Sequence, residues 1–138
     1  MSEHSTASTL RCIVVTPEAT VLDGEASFVA LPLYDGEVGI ARNHSPMIGR
    51  LGFGEMRIRS GDDTSRYYVD GGFVQVADNL VSVLTNRAIP SATVDGDAAQ
   101  ALFDAALSRK AAGDEQIALR ERALSQARAQ LRIARRLK

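Results

Sequence analysis

Short apolar runs separated by turn signals occupy roughly the first two thirds of the chain. Residues 10–16 form one run, and residues 55–59 alternate apolar and polar side chains with the two-residue period of a half-buried strand. Breaks at residues 60–63 and at Asp78 and Asn79 predict two hairpin turns. Short strands with a turn every 8–12 residues or so are typical of a sandwich or barrel.

Alanine and leucine replace the β-branched runs after Pro90. Residues 98–112 contain no glycine or proline, and they predict a helix with Asp95 as its N-cap. Gly113, directly after this segment, predicts the end of the helix.

A second, longer helix is predicted at residues 115–137. Ile117, Leu124 and Leu131 recur every seven residues, which gives a narrow apolar stripe suited to a single partner helix. The two patterns together predict a β-sandwich domain at residues 1–89 and an antiparallel helical hairpin at residues 90–138.

Composition narrows the class of protein. The chain has 138 residues, 45% of them apolar, and its net charge of -1 gives no electrostatic reason to expect nucleic acid or an anionic membrane as partner. Cys12 is the only cysteine, so no intrachain disulfide is expected. No apolar run reaches the ~20 residues that span a bilayer, and the polar N-terminus lacks the features of a signal peptide. We therefore expect a soluble protein that reaches a membrane only through partners.

The charge is divided unevenly between the two predicted domains. Residues 1–89 carry a net charge of -4, whereas residues 90–138 carry +3 and contain no acidic residue after Glu121. Two interpretations remain open for this basic end: a solvated helix face, or a surface for an acidic partner. The basic residues concerned are Arg122, Arg128, Arg132, Arg135, Arg136 and Lys138.

Candidate chemistry is sparse. His44 has no cysteine or carboxylate at the spacing of a metal site, and no nucleophile and base stand in a recognisable catalytic pattern. Asp35 and Glu37 flank a glycine, where an aspartate is better explained as part of a turn than as half of a catalytic pair. Gly71 and Gly72 at a strand start predict a bulge or a close backbone approach. We expect no catalytic residue, no metal and no enzyme activity.

Three segments in series resemble the epsilon subunit family of F-type ATP synthases. They are Asp-Gly-Glu-Val-Gly-Ile at residues 35–40, Asn-His-Ser-Pro at residues 43–46 and Gly-Gly-Phe at residues 71–73. The resemblance implies a sandwich of about ten strands followed by a C-terminal α-helical hairpin. It also implies a non-catalytic rotor component of the central stalk, which couples ion flow through the membrane sector to ATP synthesis. Such a subunit binds the gamma subunit and the c-ring at the cytoplasmic face of the bacterial plasma membrane, without direct membrane insertion.

The same resemblance implies roles for particular residues. In relatives the loops that correspond to Glu37 and His44 lie at the foot of the sandwich near the c-ring, which makes these two residues candidate ring contacts. Alternatively, His44 only fixes its own turn by a backbone hydrogen bond. Some relatives bind ATP through an Asp-x-x-Arg-Ala motif, of which this chain keeps Asp95 but has Ala98 in place of the arginine and adds Asp97. We therefore expect weak or absent ATP binding and no cofactor.

The basic end of the second helix resembles that of relatives whose extended hairpin reaches acidic segments of the catalytic beta and alpha subunits. This makes Arg128, Arg132 and Arg135 candidates for restraining ATP hydrolysis. The alternatives are a stand-alone ligand-binding β-sandwich module, disfavoured by the absence of tryptophan and by an aromatic content of 5%, and a small hydrolase, disfavoured by the missing catalytic pattern. Binding to a gamma subunit would separate these classes.

Overall fold

The computed structural model describes residues 9–137, so the predicted polar N-terminal tail lies almost wholly outside the described residues. Eight strands are followed by a 3₁₀ turn at Ser91–Thr93 and two α-helices. The chain divides into two compact units, of which the first ends at Pro90 and the second begins at Ser91. The strands are β1 (Leu10–Val15), β2 (Thr20–Ala26), β3 (Phe28–Leu33), β4 (Gly36–Ala41), β5 (Met47–Ser60), β6 (Asp63–Ala77), β7 (Leu80–Leu84) and β8 (Ala88–Pro90); the helices are α1 (Gly96–Ser108) and α2 (Asp114–Leu137). The proposed domain limits at residues 89 and 90 stay a prediction.

The strands form one hydrogen-bonded sheet in the order β2-β1-β7-β6-β5-β3-β4, with β8 paired to β6. Neighbouring strands are antiparallel except β1 and β7, which run parallel. The hairpins predicted at residues 60–63 and at Asp78 and Asn79 are confirmed, since Ser60 pairs with Asp63 and Ala77 pairs with Leu80. Asp78 and Asn79 both have positive φ, as a two-residue hairpin turn of the primed type requires.

The described residues contain eight strands rather than about ten. Residues 66–69 and 73–77, on either side of two consecutive glycines, both belong to β6, which is 15 residues long. Gly71 and Gly72 have φ of +69° and +109°, so they bend the backbone between the two parts. The ladder continues through this bend, because Asp70 pairs with Phe53 and Gly72 pairs with Leu51 on β5.

One apolar core lies between the folded parts of the sheet. Side chains of alternate residues from β1, β3, β5, β6 and β7 point into it, as the period of a strand requires. Each such side chain, once fully buried, stabilises the fold by ~1.5–3 kcal/mol. The members of this core cluster with no exposed surface are Cys12, Val14, Val29, Leu31, Ile40, Met56, Val69, Val74, Val81 and Val83. The predicted β-sandwich followed by two helices is confirmed.

The two helices pack against each other in antiparallel directions. Gly96 at the start of α1 faces Ala134 near the end of α2, and Ala106 near the end of α1 is hydrogen-bonded to Arg120 of α2. A Cβ added at Gly96 would lie 3.1 Å from the Cβ of Ala134, so the helices approach closely here. Among residues 9–137, no helix has the length and apolarity needed to cross a bilayer.

The first helix ends four residues earlier than its alanine-rich sequence predicts. It stops at Ser108, and Gly113 instead directly precedes α2, where its carbonyl accepts a hydrogen bond from the N–H of Ile117. The first turns of α2 therefore extend past the end of α1. This explains why Ile117, predicted to lie in the buried stripe, is 46% exposed while Leu124 is 4% exposed.

Candidate functional site

The resemblance implied that Glu37 lies in a loop. In the structure it is instead the second residue of strand β4. Its two carboxylate oxygens accept hydrogen bonds of 3.0 and 3.1 Å from the two terminal nitrogens of Arg57 on β5. The pair is bidentate, which is the strongest geometry for an arginine and a carboxylate. Glu37 therefore presents a charge that is half exposed and locally compensated, rather than a free carboxylate.

His44 follows the other end of β4. Its Nδ1 atom lies 2.7 Å from the carbonyl oxygen of Ser45, and its backbone N–H donates to the carbonyl of Ala41. The alternative role considered for His44, that of fixing its own turn, is thus supported by a contact. Nε2 remains the ring nitrogen that a partner could contact. The structure brings Glu37 and His44 to opposite ends of one strand and not into a common cluster.

The loop of His44 is held to the β6–β7 turn. Asn43 has φ of +67°, and its backbone N–H donates to the side-chain oxygen of Asn79 at 2.6 Å. Asn79 in turn belongs to the primed hairpin turn, and its carbonyl accepts from the N–H of Arg11. The Asn-His-Ser-Pro segment is consequently fixed by a neighbouring turn, which sequence spacing does not reveal.

Asp95, the retained part of the nucleotide motif, serves as the N-cap of α1. Its Oδ1 atom accepts hydrogen bonds from the N–H groups of Asp97 and Ala98, at 3.0 and 3.2 Å. The predicted N-cap is therefore confirmed. One carboxylate oxygen is already engaged, and the methyl group of Ala98 supplies no donor for a phosphate.

The three arginines proposed to act in inhibition lie along one side of α2. Arg128, Arg132 and Arg135 are exposed, and their spacing of four and three residues places them on the same helix face. The guanidinium of Arg128 lies 6.0 Å from the ring centre of Phe103 on α1, at the outer limit of a cation–π contact. An acidic partner at this end of the chain would therefore meet a row of positive charges.

The sandwich carries an exposed apolar surface that the sequence patterns did not predict. We name it the outer patch; it consists of Tyr34, Ile48, Arg50, Phe73 and Leu84. Arg50, Phe73 and Leu84 form one row across strands β5, β6 and β7. Ile48, Phe73 and Leu84 are 77%, 59% and 57% exposed. The alternation of side chains along β6 could have indicated this surface, because it places Phe73 on the face opposite the buried Val74.

Within the outer patch, Tyr34 makes two contacts with Arg50. The guanidinium of Arg50 lies 4.3 Å from the centre of the Tyr34 ring, and the Tyr34 N–H donates to the Arg50 carbonyl. The arginine thus covers an aromatic ring and leaves the neighbouring apolar side chains open. Exposed apolar surface of this kind marks sites of protein–protein contact.

Reactive chemistry is limited in the part of the chain that the structure describes. Residues 9–137 contain no group of three or more histidine, cysteine or acidic side chains able to hold a metal ion. Burial raises the pKa of the Cys12 thiol to about 12, so at neutral pH it is neither a nucleophile nor a metal ligand. The geometry favours surfaces for partners over a catalytic centre.

Comparison with known proteins identifies the family. The β-sandwich domain of the ATP synthase delta/epsilon chain matches residues 9–91. The ATP synthase epsilon chain of Rhodopirellula baltica is 50% identical over 126 residues, which is 91% of this chain and 98% of that relative. The sodium ion specific epsilon chain of Propionigenium modestum is 31% identical over 129 residues, with 92% and 94% covered.

Solved structures agree on the fold. A chain of the Euglena gracilis mitochondrial ATP synthase superimposes with a TM-score of 0.78 at 19% identity, over 95% of this chain and 82% of that one. A chain of the Tetrahymena thermophila central stalk and c-ring structure gives 0.72 at 16% identity, over 88% and 93%. The molecule thus has a β-sandwich and a helical hairpin, a fold that it shares with chains of solved ATP synthase structures. It belongs to the ATP synthase epsilon chain family, whose members are non-catalytic subunits.

Proposed function

We propose that the chain is a rotor component of the central stalk, which couples ion flow through the membrane sector to ATP synthesis. Agreement with an epsilon chain along almost the whole length of both proteins is the observation that carries this proposal. The outer patch supports it, since a rotor component must be held by a neighbouring chain. In a bacterial cell this places the protein at the cytoplasmic face of the plasma membrane, bound through its partners.

The gamma subunit is the partner that we assign to the outer patch. The exposed side chains of Ile48, Phe73 and Leu84 would leave water on binding, and apolar anchors of this kind carry most of the affinity of an interface. We expect the variant Phe73→Asp to weaken binding to the gamma subunit of the same organism by about 10-fold or more. Isothermal titration with the purified gamma subunit measures the dissociation constant.

The matched control for this experiment is Leu119→Asp. It also adds a charge at an exposed apolar side chain, but this side chain lies on α2. Leu119 is 54% exposed, close to the value of Phe73. We expect Leu119→Asp to bind the gamma subunit like the unmodified chain. Equal dissociation constants for Phe73→Asp and the unmodified chain would remove the outer patch as the gamma contact. Absence of any gamma binding by the unmodified chain would contradict the rotor role itself.

The c-ring is the partner proposed for Glu37 and His44. Both side chains are accessible, and the ion pair with Arg57 and the contact with Ser45 hold them in defined positions. We expect Glu37→Gln and His44→Ala together to weaken binding of the gamma–epsilon pair to the purified c-ring. Asp62→Asn, at the exposed β5–β6 turn, is the control. Unchanged ring binding by the double variant would contradict the assignment.

A restraint on ATP hydrolysis is proposed for α2 when the hairpin extends toward the catalytic beta and alpha subunits. Exposed ion pairs are worth ~0.2–1 kcal/mol each, so the three arginines together supply ~0.6–3 kcal/mol. Moving an equilibrium from 1:99 to 99:1 requires about 5.5 kcal/mol, and the apolar stripe must contribute the difference. Arg128, Arg132 and Arg135 therefore assist inhibition without sufficing for it.

Two variants of the assembled enzyme test the restraint. Truncation before Glu115 should raise ATP hydrolysis, and the glutamine variant of all three arginines should raise it by a smaller factor. Equal hydrolysis before and after truncation would exclude an inhibitory role. An equal effect of both variants would show that charge alone is sufficient.

Weak or absent ATP binding is also proposed. Ala98 stands at the arginine position of the motif, so a hydrogen bond from a charged donor, worth ~1.5–3 kcal/mol, is missing. Asp97 adds a repelling charge beside a polyphosphate. Use of the Asp95 carboxylate as an N-cap supports this view. An equilibrium titration of the purified chain with ATP should show no affinity in the micromolar range, and a micromolar dissociation constant would contradict the proposal.

A further inference from the structure

The C-terminus of α1 lacks the usual means of ending a helix. Its C-cap residue, Arg109, has φ of -70° and ψ of 130°, so no residue in the left-handed conformation closes the last turn. No basic side chain occurs in the last turn of α1 either. The last carbonyl groups of a helix have no partner within the helix and carry its negative partial charge. In α1 the carbonyl of Ala106 accepts a 3.3 Å hydrogen bond from the N–H of Arg109, and any further donors must come from outside the helix.

Arg120 of α2 supplies those donors. Its Nε atom donates to the carbonyl of Ala106 at 3.1 Å, and its Nη2 atom donates to the carbonyl of Leu107 at 3.4 Å. The bond to Ala106 is partly buried, so water competes less well for it than at an open surface, whereas the bond to Leu107 is exposed. A permanent positive charge at this position also favours the negative end of α1. The end of one helix is thus capped by the other.

The remaining contacts between the helices are mostly small and apolar. Gly96 lies against Ala134, and Ala99, Ala106 and Ala127 are buried. Packing of small apolar side chains has little direction, whereas the two hydrogen bonds of Arg120 require one register of the helices. Arg120 is therefore placed to fix both the register and the closure of the pair.

We propose that Arg120 is a latch that sets the equilibrium between the closed helical hairpin and an open form. Opening separates the guanidinium from both carbonyls and returns the end of α1 to water. The latch is a property of the chain by itself and holds whether or not the hairpin restrains hydrolysis. It is also distinct from the row of Arg128, Arg132 and Arg135, for which an acidic partner is proposed.

Native-state hydrogen exchange of the isolated full-length chain tests the latch. Helices of this length are marginal when separated, so amides in the middle of α1 and α2 exchange when the hairpin opens. We expect Arg120→Gln to raise the exchange rate of the amides around Phe103 and Leu124 by about 10-fold, because hydrogen bonds from a charged donor are lost. Arg120→Lys keeps the charge but not the two-pronged geometry, and it should give an intermediate increase.

Two internal controls make the outcome decisive. Arg132→Gln removes the same charge further along α2, at an exposed position, and should leave the exchange rates within about twofold of the unmodified chain. Amides of Val74 and Val83 in the sandwich should stay fully protected in every variant, which excludes general unfolding. Unchanged helix exchange in Arg120→Gln, or an equal increase in Arg132→Gln, would overturn the proposal. Neither result would bear on binding to the gamma subunit.

Discussion

At the scale of single residues, Gly72 determines how strand β6 passes strand β7. It has φ of +109°, and an added Cβ would meet the backbone of Leu84 and lie 2.8 Å from the Cα of Thr85. The contact is with backbone atoms, which cannot move aside as a flexible side chain can. Nearby, the N–H of Asp70 donates to the side-chain oxygen of the buried Thr85 and so holds the bend in place. The close approach predicted from two consecutive glycines is confirmed.

Replacement of Gly72 by alanine should be strongly destabilising. The positive φ disfavours any side chain, and the clash with backbone forces the two strands apart, so we expect a loss of about 3 kcal/mol or more in the free energy of unfolding. Urea denaturation followed by circular dichroism measures this difference. Gly24→Ala is the control, since Gly24 has no atom within 4 Å of an added Cβ and should change stability by less than about 1 kcal/mol. Comparable losses in both variants would contradict the argument.

At the scale of secondary-structure elements, sequence patterns located the strands and helices better than their ends. The N-cap at Asp95 could be predicted because capping is local, and its donors lie two and three residues away. The end of α1 could not be predicted, since its carbonyls are capped by Arg120, more than ten residues further along the chain. Ion pairs such as Glu37 with Arg57 escape prediction for the same reason. Local chemistry can be read from sequence, whereas partners brought together by the fold cannot.

The cap of α1 gives a prediction at this scale. Asp95→Ala removes the acceptor for the N–H groups of Asp97 and Ala98 and should destabilise the second unit by about 1 kcal/mol. Asp95→Asn keeps an acceptor oxygen and should cost much less. Thermal melting of helical circular dichroism compares the two variants. An equal loss in Asp95→Asn and Asp95→Ala would show that charge, and not capping, is the dominant contribution.

At the scale of the whole molecule, the two units differ in both structure and charge. All residues of the sandwich core lie between Leu10 and Val83, within the first unit. The acidic excess also lies in residues 1–89, with a net charge of -4, whereas residues 90–138 carry +3. Coupling by the sandwich and regulation by the helices therefore remain two separate proposals, each to be tested on its own unit.

A fragment of residues 1–90 should fold by itself. Its core is complete without the helices, so we expect a cooperative urea transition with a free energy of unfolding on the order of 5 kcal/mol. The fragment should also keep the affinity of the full chain for the gamma subunit, because the whole outer patch lies in it. A fragment without a cooperative transition would show that the sandwich depends on the helices for stability.

The early end of α1 has a mechanical consequence. Residues 109–113 stand outside both helices, and five residues can extend over at most ~17 Å. Had α1 continued to residue 112, separation of the helices would have required a helical turn to melt first. The connection present here can instead swing by rotation about a few backbone bonds. Movement of α2 away from α1 thus begins with torsion in residues 109–113 and does not require a helical turn in the connection to melt first.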